Sequence, residues 1–475
     1  MMQKDNNEFD IDSFELTQTL DKIEDSDLET QITEDEATPD EKRAKRKKRR
    51  IRNEILAYLL VTLFIVSIGS AVALGVKTFV LPQEQTQEES DVTQEDIQDK
   101  IDSMVGEEED LTSEYVIEET AEEKFDDYLD TVISAMTLEQ KVAGLFITTP
   151  EELTGVATAT QAGTGTETAL ATYPVGGIVY YMKNIESETQ FTEMLTNTNA
   201  YSTAPLFLAV TEEQSSVSSI ANSAISIEDM SSVSDIAESQ DTAAAYQQGL
   251  DIATYLTSYG VNMNLAPVAD VVSSEDAYLD GRSYASDATV AASLVTEVVK
   301  GLEDTGVSAT LKSFPGVGTA TEDASENIVI SDRTLEEYQA SDFLVFEAGI
   351  EAGVDFIMIS HVIANGITGE MDYSTFSSAI VTDILRDEMG YDGVILTSAM
   401  DTAVITEYYT SAQAAVMALK AGCDMILQPE NLVEAYEAVI TAVGEGVIAE
   451  ERITDSLKRI YTIKYASKLE EFQNS

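Results

Sequence analysis

The chain has 475 residues, a formal net charge of −60 and an isoelectric point near 4.1. Phosphate backbones repel a polyanion of this size, which argues against nucleic acid as a partner. A single cysteine, Cys423, excludes an intramolecular disulfide, and a single histidine, His361, excludes a metal site built on several histidines.

The first 52 residues have the pattern of a disordered acidic tail that ends in a basic block. Residues 1–41 contain 15 Asp or Glu and two Lys with little apolar periodicity, which is typical of a disordered segment. Nine Lys or Arg follow within residues 42–52. We interpret the acidic tail as a solvated segment rather than as a binding site for a partner.

An uncharged run of 22 residues, from Ile55 to Val76, predicts one transmembrane helix over residues 53–78. At about 1.5 Å per residue, the run is long enough to span a hydrocarbon core of about 30 Å. A cleaved signal peptide is the alternative, but about 50 residues precede the run and no Ala-x-Ala pattern follows it. The basic block then orients the N-terminus to the cytoplasm and the rest of the chain to the outside of the cell membrane.

Residues 79–125 predict an acidic extracellular stalk. The segment 83–125 contains 17 Asp or Glu and two Lys, together with many Gln, Ser and Thr. Because like charges repel one another, we expect this segment to be extended.

Residues 126–475 predict one (β/α)8 barrel of the TIM type. Eight nearly continuous apolar runs alternate with helical segments, as expected for parallel strands that are buried on both faces. Capping boxes at residues 137–140 and 334–337 and the glycines Gly353 and Gly422 fit helices between the strands. An open doubly wound sheet is the alternative, but no Gly-x-Gly-x-x-Gly follows the first run. The runs cover residues 144–149, 177–182, 206–210, 261–268, 308–313, 355–361, 393–397 and 424–427.

Polar side chains follow the predicted strands, at the end of the barrel where such folds carry their sites. Arg282 and Lys312 are candidates to bind hydroxyls or an anion, and a structural ion pair is an equally good interpretation. Asp401 is a candidate acid, base or nucleophile, or a helix cap. A lone histidine more often belongs to a core than to a catalytic site. The residues alone assign no reaction, and the candidate ligand-binding set is Glu213, Arg282, Lys312 and His361.

Several segments resemble the glycoside hydrolase family 3 enzymes of the β-N-acetylglucosaminidase type. Residues 260–271 (Gly-Val-Asn-Met-Asn-Leu-Ala-Pro-Val-Ala-Asp-Val) are similar to the family's fourth-strand motif, and residues 312–318 resemble its Lys-His-Phe-Pro-Gly-His-Gly. Further similar segments occur at residues 173–179, 281–284, 385–395 and 418–425. The resemblance covers residues 130–466 in order. It implies a barrel that acts on carbohydrate such as cell-wall glycan, and it implies no cofactor.

The same resemblance implies that the catalytic groups have been lost. The family's nucleophile is an Asp after the seventh strand, where this chain has Ser398, and its acid/base is a His after the fifth strand, where this chain has Ser325. Residues 211–219 also lack the Asp and the Arg of the family's Asp-x-Glu-Gly-Gly-x-Val-x-Arg motif. From the sugar-binding set, Arg282 and Lys312 remain. Losing both catalytic groups costs many orders of magnitude in rate.

Three hypotheses follow from these observations. The first is a membrane-anchored pseudoenzyme that binds glycan or a protein partner. The second is an active retaining glycosidase with relocated carboxylates, in which Asp401 replaces the nucleophile and Glu322 or Glu326, close to Asp323, replaces the acid. The third is an interaction protein whose barrel has no ligand.

Overall fold

The computed structural model describes residues 119–227 and 230–474. The predicted tail (1–52), the predicted transmembrane helix (53–78) and most of the predicted stalk (79–125) lie outside the described residues. Within the part of the chain that the structure describes, no helix is both long enough and apolar enough to cross a membrane.

Eight parallel strands form the centre of the fold, and each of them coincides with one of the eight predicted apolar runs. In sheet order, each strand pairs with its neighbour in sequence, and β1 pairs with β8. A parallel bridge between Leu396 and Met425 joins β7 to β8 and closes the ring. The predicted (β/α)8 barrel is confirmed, and the open doubly wound sheet is excluded because such a sheet does not close. The strands are β1 Phe146–Thr148, β2 Gly177–Val179, β3 Phe207–Val210, β4 Met263–Asn264, β5 Ser308–Phe314, β6 Phe356–Ile359, β7 Val394–Thr397 and β8 Ile426–Leu427.

Helices surround the strands, and local sequence signals set many of their ends. The predicted capping boxes at Thr137 and Thr334 are both formed, and Gly422 ends a helix with φ 119°. A π-helical segment, Ala379–Glu388, precedes β7. The α-helices are α1 Ala121–Ser134, α2 Leu138–Ala143, α3 Pro150–Thr154, α4 Thr164–Thr172, α5 Glu188–Tyr201, α6 Val233–Ser239, α7 Thr242–Tyr259, α8 Ala288–Glu303, α9 Leu335–Gln339, α10 Asp342–Glu351, α11 Asn365–Thr368, α12 Ala403–Thr406, α13 Ser411–Ala421, α14 Leu432–Gly444, α15 Glu450–Lys464 and α16 Ala466–Gln473.

The boundary of the folded region differs from the predicted one. Helix α1 begins at Ala121, five residues before the predicted start of the barrel domain at residue 126. It buries Phe125, Leu129 and Ile133 and packs against α15 and α16. The acidic composition of the preceding segment conceals this apolar stripe, because the stripe begins only at Phe125.

Nearly every strand residue is buried, on both faces of the strands, as the continuous runs predict. Phe207 and Phe356 meet edge to face at 5.0 Å between ring centroids, at the end of the barrel where the strands begin. Cys423 is fully buried, and burial raises the pKa of its thiol to about 12. Cys423 therefore packs as a small apolar side chain.

Candidate active site

A cavity of about 240 Å³ lies at the carboxyl ends of the strands. Most of the residues that the sequence singles out line this one cavity, although they are far apart in the chain. The reason is the topology, because parallel strands in a closed barrel deliver all of their following loops to the same end. The predicted site residues that line it are Arg282, Lys312, Asp323, Ser325, His361 and Ser398.

Glu213 forms the centre of a buried ion cluster behind the wall of the cavity. Its carboxylate accepts two hydrogen bonds from Arg282, at 2.8 and 2.7 Å, and lies 2.6 Å from the Lys312 ammonium nitrogen. The side chain of Glu213 is only 2% exposed. Burial by itself raises the pKa of Glu213, but the charges of Lys312 and Arg282 outweigh burial and hold the pKa at about 2.

This cluster answers the question that the sequence left open about Arg282 and Lys312. Both cations reach the cavity, and both are also bound by the same carboxylate. Arg282 and Lys312 therefore form a structural ion cluster with Glu213 and, at the same time, line the cavity where a ligand could contact them. Glu213 itself stays ionised at neutral pH, since its pKa is about 2.

Asp270 does not line the cavity but supports the end of β5, next to Lys312, and the loop that follows it. It is 1% exposed, and it accepts hydrogen bonds from the backbone amides of Ser313 (2.8 Å), Val317 (2.5 Å) and Gly318 (3.2 Å). Burial, together with nearby Asp342, raises the pKa of Asp270. Asp270 therefore acts as an anchor for the loop after β5.

Glycine is required at position 316 in this loop. Gly316 has φ 124°, and a Cβ atom built there would lie 2.5 Å from the Asp342 carboxyl carbon. Only glycine combines this backbone conformation with so close an approach. In the same motif, Ser313 and Val317 occupy the two positions where the resemblance expects histidines.

His361 lines the cavity, but both of its ring nitrogens are engaged within the protein. Nε2–H donates to the carbonyl of Ala399 at 3.0 Å, and Nδ1 lies 2.9 Å from the Thr375 hydroxyl. Burial lowers the pKa of His361 to about 4, so the ring is neutral at pH 7. The ring therefore holds the backbone next to Ser398 in place.

The two positions where the resemblance expects catalytic groups both face the cavity. Ser398 directly follows β7, and its backbone amide donates to the carbonyl of Ile359 at 2.9 Å. Ser325 donates through both its backbone amide and its hydroxyl to Asp323 Oδ1, each at 2.8 Å. Asp323 is half-buried and lines the cavity.

The other candidate carboxylates lie outside the lining of the cavity. Asp401 is exposed at its rim, where its carboxylate accepts a hydrogen bond from Gln428. The amide oxygen of Gln428 accepts in turn from the Tyr181 hydroxyl at 2.5 Å. Glu322 and Glu326 are exposed side chains in the loop after β5. The described residues also contain no group of three or more His, Cys, Asp or Glu that could hold a metal ion.

Two tyrosines of the cavity were missed by the sequence reasoning. Tyr181 lies two residues beyond the end of β2, and Tyr278 lies in the loop between β4 and α8. The Arg282 guanidinium lies 5.3 Å from the ring centroid of Tyr278. The spacing of four residues between Tyr278 and Arg282 is a local signal that the two side chains could be in contact. The signal is weak, because this spacing brings side chains together in a helix and these residues lie in an irregular loop.

Comparison of the sequence with known families and proteins gives consistent matches. The sequence profile described as "Glycosyl hydrolase family 3 N terminal domain" matches residues 137–463. The chain is 32% identical over 280 residues to a beta-hexosaminidase from Stenotrophomonas maltophilia (strain K279a), covering 56% of this chain and 80% of the relative. A beta-hexosaminidase from Nitrosomonas eutropha is 26% identical over 302 residues, covering 63% of this chain and 86% of the relative.

Solved structures give the same relationship. A glycoside hydrolase family 3 beta-N-acetylglucosaminidase from Paenibacillus sp. str. FPU-7 superposes with a TM-score of 0.66 at 29% identity. The match covers 70% of this chain and 63% of that chain. A beta-N-acetylhexosaminidase from Beutenbergia cavernae has a TM-score of 0.61 at 25% identity, covering 69% of this chain and 98% of that one. The family predicted from the sequence is thereby confirmed, and the chain belongs to glycosyl hydrolase family 3.

Proposed function

We propose that this chain is a membrane-anchored, catalytically inactive member of its family that binds N-acetylhexosamine-containing glycan in the barrel cavity. One observation carries the proposal. Ser398 and Ser325 line the cavity at the positions where the resemblance expects the nucleophile and the acid/base. A serine hydroxyl is a poor substitute for either group, since it neither balances an oxocarbenium charge nor releases a proton near neutral pH.

The carboxylates near the cavity do not replace the lost groups. A retaining glycosidase uses two carboxyl groups about 5–5.5 Å apart, one as nucleophile and one as acid/base. Among the described residues that line the cavity, Asp323 is the single carboxylate. Glu213, behind the wall of the cavity, stays ionised, and its charge is balanced by the cations of Lys312 and Arg282. Neutral His361 uses its one ring proton to bond the carbonyl of Ala399 and is not an effective acid at pH 7.

The cavity keeps features that suit sugar binding. Its lining offers tyrosine and serine hydroxyls and two buried cations, which are donors and acceptors for ring hydroxyls. Tyr181 and Tyr278 add aromatic surface, against which the apolar face of a sugar ring packs. The ion cluster around Glu213 fixes Arg282 and Lys312 before any ligand arrives, so their ordering costs little upon binding.

Anchoring at the cell membrane rests on the sequence. The uncharged run from Ile55 to Val76 and the nine basic residues before it support a single helix with the N-terminus in the cytoplasm. The barrel would then face the cell wall, where N-acetylhexosamine polymers are accessible. Protease added to intact cells tests this arrangement, because an extracellular barrel is accessible to it. If the barrel is digested only after the cells are lysed, the arrangement is contradicted.

Turnover and binding should be measured on the full-length chain purified in mild detergent. We expect N-acetylglucosamine disaccharide to bind in calorimetry, while 4-nitrophenyl N-acetyl-β-glucosaminide is not hydrolysed. Turnover gained only by the combined Ser398→Asp and Ser325→His variant supports the proposal. The proposal is refuted if the wild type hydrolyses the substrate and Asp323→Asn abolishes this turnover. Asp276→Asn is the control, because it changes an exposed carboxylate outside the cavity lining, and it should leave such turnover intact.

Hydrolysis with relocated groups is the second candidate, and it rests on the position of Asp323 in the cavity lining. In that mechanism Asp323 delivers the proton and Asp401 attacks the sugar. Asp401 is exposed and bonded to Gln428 at the rim, which places it poorly for attack. Turnover that is lost in both Asp323→Asn and Asp401→Asn identifies this mechanism.

Failure of any glycan to bind would leave the barrel as a protein-interaction scaffold.

A further inference from the structure

A second depression lies beside the central cavity, at the amino ends of α13 and α14. Its volume is about 360 Å³, and the segment 406–411, Gln413, Glu430 and Glu434 line it. The helices of a (β/α)8 barrel begin at the end of the barrel where its strands finish, so this depression opens on the same end as the central cavity. Nothing in the proposed function uses it.

Tyr408 is the main feature of this depression. Its side chain is 58% exposed, although a tyrosine ring is a large apolar surface. The next residue, Tyr409, packs edge to face on Phe376 at 5.0 Å between ring centroids and is held within the protein. Backbone amides of both tyrosines donate to the carbonyl of Ile405, at 3.0 and 2.8 Å. The backbone under Tyr408 is therefore fixed while its ring remains open to solvent.

The frame around Tyr408 is also held by local bonds. Thr410 and Gln413 form a reciprocal capping box at the start of α13. The hydroxyl of Ser411 accepts from the backbone amide of Asn431 at 3.0 Å, which ties the start of α13 to the loop after β8. A preformed surface of this kind loses little conformational entropy when a ligand binds.

The charge of the depression disfavours anionic ligands. Glu407, Glu430 and Glu434 line it, and no Lys or Arg is among its lining residues in the described part of the chain. Anionic ligands are repelled by such a site, whereas neutral hydroxyl groups donate hydrogen bonds to carboxylates. The described residues contain no grouping of His, Cys, Asp or Glu that suits a metal ion. An exposed aromatic ring beside hydroxyl acceptors fits a neutral sugar.

The two depressions are close enough for one oligosaccharide to occupy both. Thr402 lines the central cavity and Thr406 lines the second depression, and they are separated by about one helical turn, roughly 6 Å. Leu427 and Glu430 make a second link, with at most about 11 Å of chain between them. Gln428, which bonds to Asp401 and Tyr181, forms the bridge at the rim.

From these observations we infer that Tyr408 and the depression around it form a second binding subsite for a neutral N-acetylhexosamine chain that also occupies the central cavity. The inference rests on the proposed function, because it assumes that the cavity binds sugar. It assigns to the rim residues Asp401, which is exposed, and Gln428, which is half-buried, a contact with the chain between the two subsites.

Calorimetry of the full-length chain with N-acetylglucosamine oligomers of two and six units tests the inference. We expect the six-unit chain to bind about tenfold more tightly than the two-unit chain, a difference that corresponds to about 1.4 kcal/mol. Tyr408→Ala should remove this difference and leave two-unit binding unchanged. Met371→Ala, a change at a 60% exposed side chain that lines neither depression, serves as the control and should alter neither affinity.

The outcomes separate the two proposals. Tyr278→Ala, in the central cavity, should weaken both oligomers. Equal affinities for the two oligomers, or a six-unit affinity unaffected by Tyr408→Ala, overturn the second subsite while the central site stands. If neither oligomer binds the wild type, the proposed function fails and the second subsite fails with it.

Discussion

The ion cluster around Glu213 makes a quantitative prediction for the Glu213→Gln variant. Glutamine keeps the shape of the side chain but leaves the charges of Arg282 and Lys312 buried without their counter-ion. The pKa of Glu213 lies at about 2, against an ordinary 4.5. At 1.36 kcal/mol for each pKa unit, this difference corresponds to about 3 kcal/mol of stability. Removing one partner of a buried ion pair costs about 3–5 kcal/mol, which agrees.

The direction of the pH dependence follows from the lowered pKa of Glu213. The unfolded chain binds a proton at Glu213 below pH 4.5, whereas the folded chain does so only near pH 2. The stabilisation is therefore fully present above pH 4.5 and disappears as the pH falls toward 2. The free energies of unfolding of the wild type and of Glu213→Gln should differ most at neutral pH and converge in acid.

Urea denaturation followed by circular dichroism, from pH 7 down to the lowest pH at which the protein remains folded, measures both quantities. Glu297→Gln is the matched control, since Glu297 forms an exposed pair with Lys300 at 2.8 Å, and it should change little. If Glu213→Gln is as stable as Glu297→Gln at pH 7, the cluster does not hold the site together. A difference that grows in acid refutes the electrostatic explanation.

Three further predictions concern other parts of the barrel. Burial and a neighbouring carboxylate raise the pKa of Glu303, so its contribution to stability is present below pH 4.5 and is lost as the pH rises. Glu303→Gln should flatten this decline in denaturation curves, and an unchanged decline contradicts the assignment. Burial raises the pKa of Cys423 to about 12, so iodoacetamide at pH 8 should label it only after denaturation, and rapid labelling of the folded protein disproves its burial. Gly316→Ala should lower stability by roughly 2 kcal/mol or more, because the new methyl group meets Asp342 and the backbone has a positive φ. Gly165→Ala, where nothing lies within 4 Å, is its control, and equal stability of the two variants counts against the argument.

The arrangement of the barrel was predictable because its signals are local. Each strand is a short apolar run buried on both faces, and helix ends at Thr137, Thr334 and Gly422 follow from neighbouring residues in sequence. Helix α1 begins within the predicted stalk, at Ala121, where its apolar stripe covers only one face of an otherwise acidic segment.

The candidate site was predictable only in part. The closed topology brings the residues that follow the strands to one end, so the positions of Arg282, Lys312 and Ser398 follow from the fold. The sequence does not tell whether a side chain at that end points into the cavity. Asp323 lines the cavity, whereas Asp401 lies at the rim and Glu322 is exposed.

The sequence by itself determined the fold class and the family, and it placed Ser398 and Ser325 where the resemblance expects catalytic groups, since each of these depends on residue identity at positions linked along the chain. Tertiary structure alone decided that Glu213 binds both cations, that His361 is neutral and fully bonded, and that Tyr408 remains exposed beside the cavity. The reason is that charge state and exposure depend on neighbours that are distant in sequence, and only the closed barrel brings those neighbours together.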